Sequence, residues 1–331
     1  MKAAVTTEDH GFDVVEMPDP APGVDELVIR VAACGVCGSD VKAQQYAPAG
    51  MVMGHELGGE IVAVGSHARE WHEGTNIAVL PVFSCGSCQY CTAGVVSHCP
   101  QTRYMGMGPA GGFAELAVVP ARHAFALPAD LPASYSALVE PFAVGLHGVH
   151  SAEIALGDDV LIVGAGGVGL TTLVWALQKG GGRVTVADPD QHRREFALAM
   201  GASDVLASVS DADAAGYDVA MECVGRPELV QACQAALRPL GRLVVSGACA
   251  EPTPVEPVTA LLKELTIRYS VCYRPDEFRE VIAAFASGAV DPSGVIGPTL
   301  QLNRISEAFD LVRNATAEGR VLVSPNSTGW A

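Results

Sequence analysis

Four thiols crowd fifteen positions in Cys85-x2-Cys88-x2-Cys91-x7-Cys99. Zinc takes four thiolates tetrahedrally in closed structural sites, and short CxxC turns bring paired sulfurs to one ion. Disulfides are a rival reading, but they need an oxidising compartment, of which the sequence carries no sign. An iron–sulfur cluster also uses short cysteine spacings; the long last gap and the nucleotide signature below count against it. The spacing therefore predicts a closed zinc site that holds a loop, because no coordination position is left for chemistry. Of the six other cysteines among ten, Cys34 and Cys37 form a pair, while Cys223, Cys233, Cys249 and Cys272 are scattered singly. The scattered four read as small core hydrophobes.

A second constellation is rich in glycine. Val160-Leu161-Ile162-Val163 runs into Gly164-Ala165-Gly166-Gly167-Val168-Gly169, and a helical pattern follows. Alone, GxGxxG is a weak signal; with a strand before and a helix after it predicts a dinucleotide-binding turn. Gly164 permits the tight turn and Gly166 lets the backbone approach a pyrophosphate. Gly169 lets the helix pack closely, and Gly167 and Val168 open that helix, whose N-terminus faces the phosphates. The second strand ends in Val184-Thr185-Val186-Ala187-Asp188. A carboxylate there hydrogen-bonds the ribose hydroxyls and repels an extra phosphate, so NAD is expected over NADP. Arg193 and Arg194 stand close by, and arginine can accept that phosphate, which keeps NADP as the second choice.

The remaining candidates lie in Cys34-Gly35-Val36-Cys37-Gly38-Ser39-Asp40 and Gly54-His55-Glu56. With CGVCGSD, GHE, the four-cysteine lobe, Glu140-Pro141 and GAGGVG in that order, the whole chain resembles the zinc-dependent medium-chain alcohol dehydrogenases, in particular the sorbitol and threonine dehydrogenase branch. The resemblance implies a β-rich GroES-like catalytic domain and a doubly wound Rossmann domain. It makes Cys37, His55 and Glu140 ligands of a catalytic zinc, with Glu56 an alternating ligand or a close supporting carboxylate. One thiolate, one imidazole and one carboxylate leave a position open, and a metal there lowers the pKa of a bound alcohol. Hydride then passes from the substrate carbon to C4 of the nicotinamide, giving a ketone or aldehyde. Ser39 falls where the family passes the proton to the cofactor ribose, and Asp40 orients the loop. The family often ends this relay with a histidine where this chain has Lys42. Cys34 is expected to be a small buried residue, and His67, His72, His98, His123 and His147 to be surface or packing residues.

Polyol dehydrogenases of this branch tend to carry an arginine before a tyrosine near the position of Cys272-Tyr273, and Ala43 is also small. The expected substrate is therefore a secondary alcohol with few hydroxyls, with a polyol, cyclitol or amino alcohol as the alternative. A non-catalytic zinc-containing binding protein is the reading from another class; the intact ligand set argues against it. A zinc-free reductase of the same superfamily would lack that set altogether.

The elements that must carry these residues divide the chain. Up to about residue 143, short strands broken by Gly and Pro (27–31, 59–64, 114–119) predict a β-rich domain. From Asp159, strands at 160–163, 184–187, 218–221 and 243–246 alternate with helices near 168–179, 190–200, 227–238 and 276–287, the βαβ pattern of a parallel sheet. A short helix near 304–313 and a last strand at 320–323 follow. The expected fold is α/β, with a catalytic domain over 1–143 and 291–331 and a nucleotide-binding domain over 144–290. The catalytic cleft is expected where such sheets bind ligands, at the C-terminal ends of the parallel strands. The chain has 331 residues, 49% of them hydrophobic, enough for two cores. A net charge of −17 repels nucleic acid and anionic membranes. No apolar run approaches the roughly 20 residues of a membrane span, and the first residues show no export signal. A soluble, cytoplasmic enzyme is expected. The family resemblance adds a homo-oligomer, tetramer or dimer, built on pairing of nucleotide-domain edge strands.

Overall fold

The computed structural model describes residues 1–326 and divides them into two compact units. The first joins Met1–Glu140 to the segment from Arg274 onward, and the second is Pro141–Tyr273.

In the first unit a seven-stranded sheet runs in the order Ile296–Gln301, Arg320–Ser324, Glu26–Gly35, Glu56–Val64, Asn76–Val79, Ala124–Ala126, with Leu116–Pro120 also paired to Glu26–Gly35. Only the Ile296–Gln301 and Arg320–Ser324 pair is parallel. Its core draws on both ends of the chain: Leu27, Ile29, Leu57 and Ile77 cluster with Phe309, Val321 and Val323, all fully or nearly fully buried. Gly59 lets two strands close up, since a methyl there would sit 2.0 Å from the Arg30 carbonyl oxygen.

The second unit is a six-stranded parallel sheet in the order Asp204–Leu206, Val184–Ala187, Val160–Val163, Tyr217–Glu222, Leu237–Val245, Thr266–Tyr269. Strand order therefore reverses beside Val160–Val163, the switch point at which doubly wound sheets bind ligands. All four residues of Val160–Val163 are buried, as a strand covered on both faces requires. The helices Gly167–Gln178, Gln191–Ala199 and Pro227–Ala236 match the alternation seen in the sequence to within two residues. The helix Pro257–Lys263 and the edge strand Thr266–Tyr269 are absent from the sequence reading. Both are short, and Val258, Leu261, Leu262 and Tyr269 are exposed, so neither carries an inward apolar period.

Two boundaries depart from the expected 143 and 290. The first falls three residues earlier, inside the helix Val139–Ala152, which the sequence does not announce. The second falls at 273, because the helix Pro275–Ala286 belongs to the first unit. Its Phe278 ring lies 5.2 Å from Phe125, its Phe285 ring 6.4 Å from Tyr135, and Arg279 stacks over Phe125. Helical period alone does not reveal which sheet a helix covers. Of the cysteines read as core, Cys233 is buried, Cys223 and Cys272 are half-buried, and Cys249 is exposed on a loop.

Candidate metal and nucleotide sites

The strand Glu26–Gly35 buries Cys34 and ends one residue before Val36, and Cys37 then caps the helix Gly38–Gln44. Asp40 is the third residue of that helix. Its Oδ2 accepts the Cys37 N–H at 3.0 Å and its Oδ1 lies 3.0 Å from His55 Nδ1. One carboxylate thus fixes two neighbours, and by accepting the Nδ1–H hydrogen bond it favours the tautomer whose Nε2 lone pair is free for a metal. Gly54, at φ +97°, makes the approach to His55; a methyl there would lie 2.7 Å from Cys34 Sγ.

The ligand atoms of Cys37, His55 and Glu56 lie within 4.8 Å of one another. Ser39 Oγ stands 3.5 Å from His55 Nε2. Burial pushes the Cys37 thiol up, but hydrogen bonding and charge from His55 and the Arg320 charge override it and bring the pKa down to about 7. Burial lowers His55 in turn, and Asp40 and Cys37 more than reverse this, so it rises well above its usual value. A thiolate, an imidazole nitrogen and a carboxylate within this distance are the donor set of an open zinc site.

Glu56 is wholly buried and paired with Arg320, whose Nε donates to Oε2 at 2.9 Å and whose Nη2 donates to Oε1. The carboxylate has room because residue 35 is glycine: a methyl at Gly35 would lie 2.1 Å from Oε2. Arg320 escapes the sequence reading. Its only signal is a lone cation opening an apolar strand. Asp40 was legible as a loop organiser but not as the partner of His55. Glu140, in the first turn of Val139–Ala152, is buried and raises the pKa of Cys34, yet stands outside the Cys37, His55 and Glu56 group. Of the residues expected at the catalytic metal, Cys37, His55 and Glu56 come together, and Glu140 is not part of that group.

The four sulfurs of Cys85, Cys88, Cys91 and Cys99 also lie within 4.8 Å of one another, and none forms a disulfide. Cys85–Cys91 and Cys88–Cys91 are separated by 3.8 and 3.5 Å. Cys99 Sγ accepts the N–H groups of Cys85 and Gln101. N–H groups of Ser87 and Cys88 draw the Cys85 thiol down to about 6. The Cys91 N–H pulls Cys88 down, but burial and the neighbouring sulfurs carry it up to about 11. Thiols must lose their protons to ligate a divalent ion, so binding there would release protons.

In the second unit Gly164 turns at φ +99°, and Gly166 caps the helix Gly167–Gln178. A methyl on Gly169 would lie 1.7 Å from the Gly164 oxygen, whereas one on Gly166 would meet only Arg193 Nη1, at 3.9 Å. Gly166 therefore borders open space at a helix N-terminus, the room a pyrophosphate needs. Asp188 is buried; its Oδ2 accepts the Ala165 N–H at 2.8 Å and its Oδ1 the Asp190 N–H at 2.9 Å. It braces the turn as well as facing it. Arg194 is spent on the carbonyls of Asp188 and Pro189.

Comparison with known proteins agrees with this geometry. Residues 23–129 match the alcohol dehydrogenase GroES-like domain and residues 167–287 the zinc-binding dehydrogenase family. The chain is 31% identical to an L-threonine 3-dehydrogenase of Saccharopolyspora erythraea, over 95% of this chain and 96% of that protein. It is 30% identical to a sorbitol dehydrogenase of Bacillus subtilis, over 98% of both. A solved structure described as a zinc-binding dehydrogenase of Sinorhizobium meliloti bound to NADP superposes with a TM-score of 0.90, at 32% identity, over 98% of this chain and 99% of that one. Two clusters that could hold a metal, a glycine turn at the sheet's switch point and relatives matched from end to end lead to one conclusion: the chain belongs to the zinc-dependent medium-chain alcohol dehydrogenases, oxidoreductases that transfer hydride between an alcohol and a nicotinamide cofactor.

Proposed function

We propose that this enzyme oxidises a secondary alcohol to its ketone with NAD, the first unit carrying the chemistry and the second the cofactor. The observation that carries the reading is the Cys37, His55 and Glu56 group, a mixed donor set with one coordination position to spare. A zinc ion bound there supplies Lewis acidity that makes the substrate hydroxyl acidic. Cys37 and His55 hold the ion, Asp40 keeps His55 in the binding tautomer, and Glu56 or Glu140 provides the carboxylate. Ser39, beside His55 Nε2, takes the proton that leaves the substrate, and Lys42 or solvent carries it away in place of the family's histidine. A second zinc in Cys85, Cys88, Cys91 and Cys99 is structural.

NAD is favoured by Asp188 at the end of the second strand. The NADP-bound relative and Arg193 beside Gly166 make NADP the competing cofactor. The 3-hydroxyl of threonine is a secondary alcohol, as are most hydroxyls of sorbitol, so the names of both relatives fit the class; they also favour an amino alcohol or a polyol as the second reading. The family branch favours a homo-oligomer, tetramer ahead of dimer, and the edge strand Thr266–Tyr269 with the exposed Leu261, Leu262 and Tyr269 beside it fits pairing between copies. Ten unpaired cysteines fit the cytoplasm. Among the described residues no helix is long and apolar enough to cross a membrane.

The test is a panel of small secondary alcohols, cyclic alcohols, polyols and amino alcohols, followed by NADH absorbance, beside metal analysis. About two zincs per chain and turnover on secondary alcohols are expected. Retained turnover after complete zinc removal would sink the reading.

A further inference from the structure

The segment carrying Cys85, Cys88 and Cys91 is held at both ends by residues outside it. At its entrance Arg122 Nη2 donates to the Ser84 carbonyl, and the Ser84 N–H donates to His123 Nε2 at 3.4 Å. Arg122 Nε donates to that same nitrogen at 3.2 Å, so it accepts twice and the imidazole is neutral. His123 is itself fixed against Phe83, ring centroids 5.1 Å apart. Ser84 directly precedes Cys85, so these two backbone bonds fix the start of the segment. At the exit, Arg274 Nη2 donates to the Ala93 carbonyl at 2.7 Å, closing the end of the helix Gln89–Thr92. Arg274 is anchored in turn, its N–H donating to Glu277 Oε2 at 2.7 Å.

A helix of four residues has no stability of its own. In small zinc modules the ion supplies that order, and binding is folding. Here both ends are also tied by protein groups, Arg122 and His123 at the entrance and Arg274 at the start of the helix Pro275–Ala286 at the exit. Arg103 and Arg122 also line a cavity of about 290 Å³ with Ser84 and Cys85. Their charge would offset the net double negative charge of a zinc ion held by four thiolates.

We propose that Arg122, His123 and Arg274 are positioning residues that hold 84–93 in its metal-receiving shape, so that the four-cysteine centre is organised by the surrounding fold rather than by its ion. Zinc can then leave and return without the loop unfolding. This rests on the zinc reading of the cluster, which is tested first and separately: a wild-type enzyme with zinc in the Cys37 site alone would remove that reading.

The inference itself is tested on the full-length enzyme stripped by a chelator and titrated with cobalt(II). Thiolate-to-cobalt absorption, whose intensity grows with the number of thiolates, reports the four-sulfur site, and circular dichroism reports the fold. Wild type should take up cobalt with an unchanged dichroism spectrum. Arg122→Met and Arg274→Met should each weaken uptake about ten- to hundredfold, the loss expected for one charge-assisted hydrogen bond. His123→Leu should do the same, while His123→Gln, whose amide oxygen can accept from Ser84, should stay close to wild type. That rescue separates positioning from simple packing. If His123→Leu does not fold, the two arginine variants decide. Wild-type cobalt affinity in both arginine variants, or loss of ordered structure on stripping the wild type, would overturn the proposal.

Discussion

Replacing Arg320 with Met should strand a charge. The Glu56 side chain is 1% exposed and that of Arg320 is 6%, so neither has water to fall back on. Burial draws the Arg320 pKa down, opposed by the nearby Cys37, Asp40 and Cys34. Removing one member of a buried pair costs about 3–5 kcal/mol, because the other is left uncompensated. Met fills most of the volume, so the loss is electrostatic rather than a cavity. The freed carboxylate lies against the Gly35 backbone, with Cys37 and His55 as its nearest polar company. It can recover only by taking a proton or by turning to a metal ion. The single variant should therefore lose about 3–5 kcal/mol in urea unfolding of the zinc-loaded enzyme. Arg320→Met combined with Glu56→Gln, which deletes the stranded charge, should regain more than half of that. A single variant costing under about 1 kcal/mol, or a double variant no more stable than the single, would refute the reasoning.

Cys37→Ala should abolish turnover yet leave a folded protein that binds NAD and one zinc, whereas Cys88→Ala should lower the melting temperature first and activity only in consequence; zinc content, melting and turnover of both decide it. Ser39→Ala should keep its zinc and slow turnover by about a hundred- to ten-thousandfold, the range of a general acid–base step, read by steady-state kinetics. Asp188→Ser should weaken NAD and shift the NAD-to-NADP preference by roughly ten- to hundredfold, measured as the ratio of kcat/KM values, and a wild type already preferring NADP would refute the cofactor assignment. Burial, aided by Arg122, holds His123 down to about 4, so below its usual 6.5 the unfolded chain binds a proton that the folded one refuses. Stability should fall by about 3 kcal/mol as pH drops from 6.5 to 4, and His123→Gln should remove that part of the slope in parallel urea titrations.

Much of the site is legible because its chemistry demands residues close together in sequence. A CxxC turn needs its neighbours, and the glycine turn needs Gly164, Gly166 and Gly169 within one loop. Cys37 and His55 are readable for the same reason, each inside a short motif. Arg320 is not, since it reaches Glu56 across 264 positions and only the sheet pairing brings them together. The Arg274 bond to Ala93 is hidden likewise, at a separation of 181. The helix Pro275–Ala286 shows how far local signals go: its amphipathic period was plain, but which core it serves depends on Phe125 and Tyr135, far back in the chain. Leu237–Val245 was read only from 243; Leu237 pairs with Tyr217 and pairing resumes at Arg242, so 238–241 lie in a register shift with Leu240 at φ +64°.

The interleaved first unit has a consequence for the order in which the chain can mature. Pro141–Tyr273 is continuous, so it can fold as soon as it has emerged from the ribosome. The earlier residues cannot complete their sheet, because Arg320–Ser324 must still pair with Glu26–Gly35 and Arg320 must still reach Glu56. A nascent or truncated chain that stops short of residue 320 therefore carries every zinc-ligand candidate and an intact nucleotide fold, yet has Glu56 without its cation. The group around Cys37, His55 and Glu56 therefore gains its buried cation only after residue 320 has been made, well after the nucleotide-binding unit is complete.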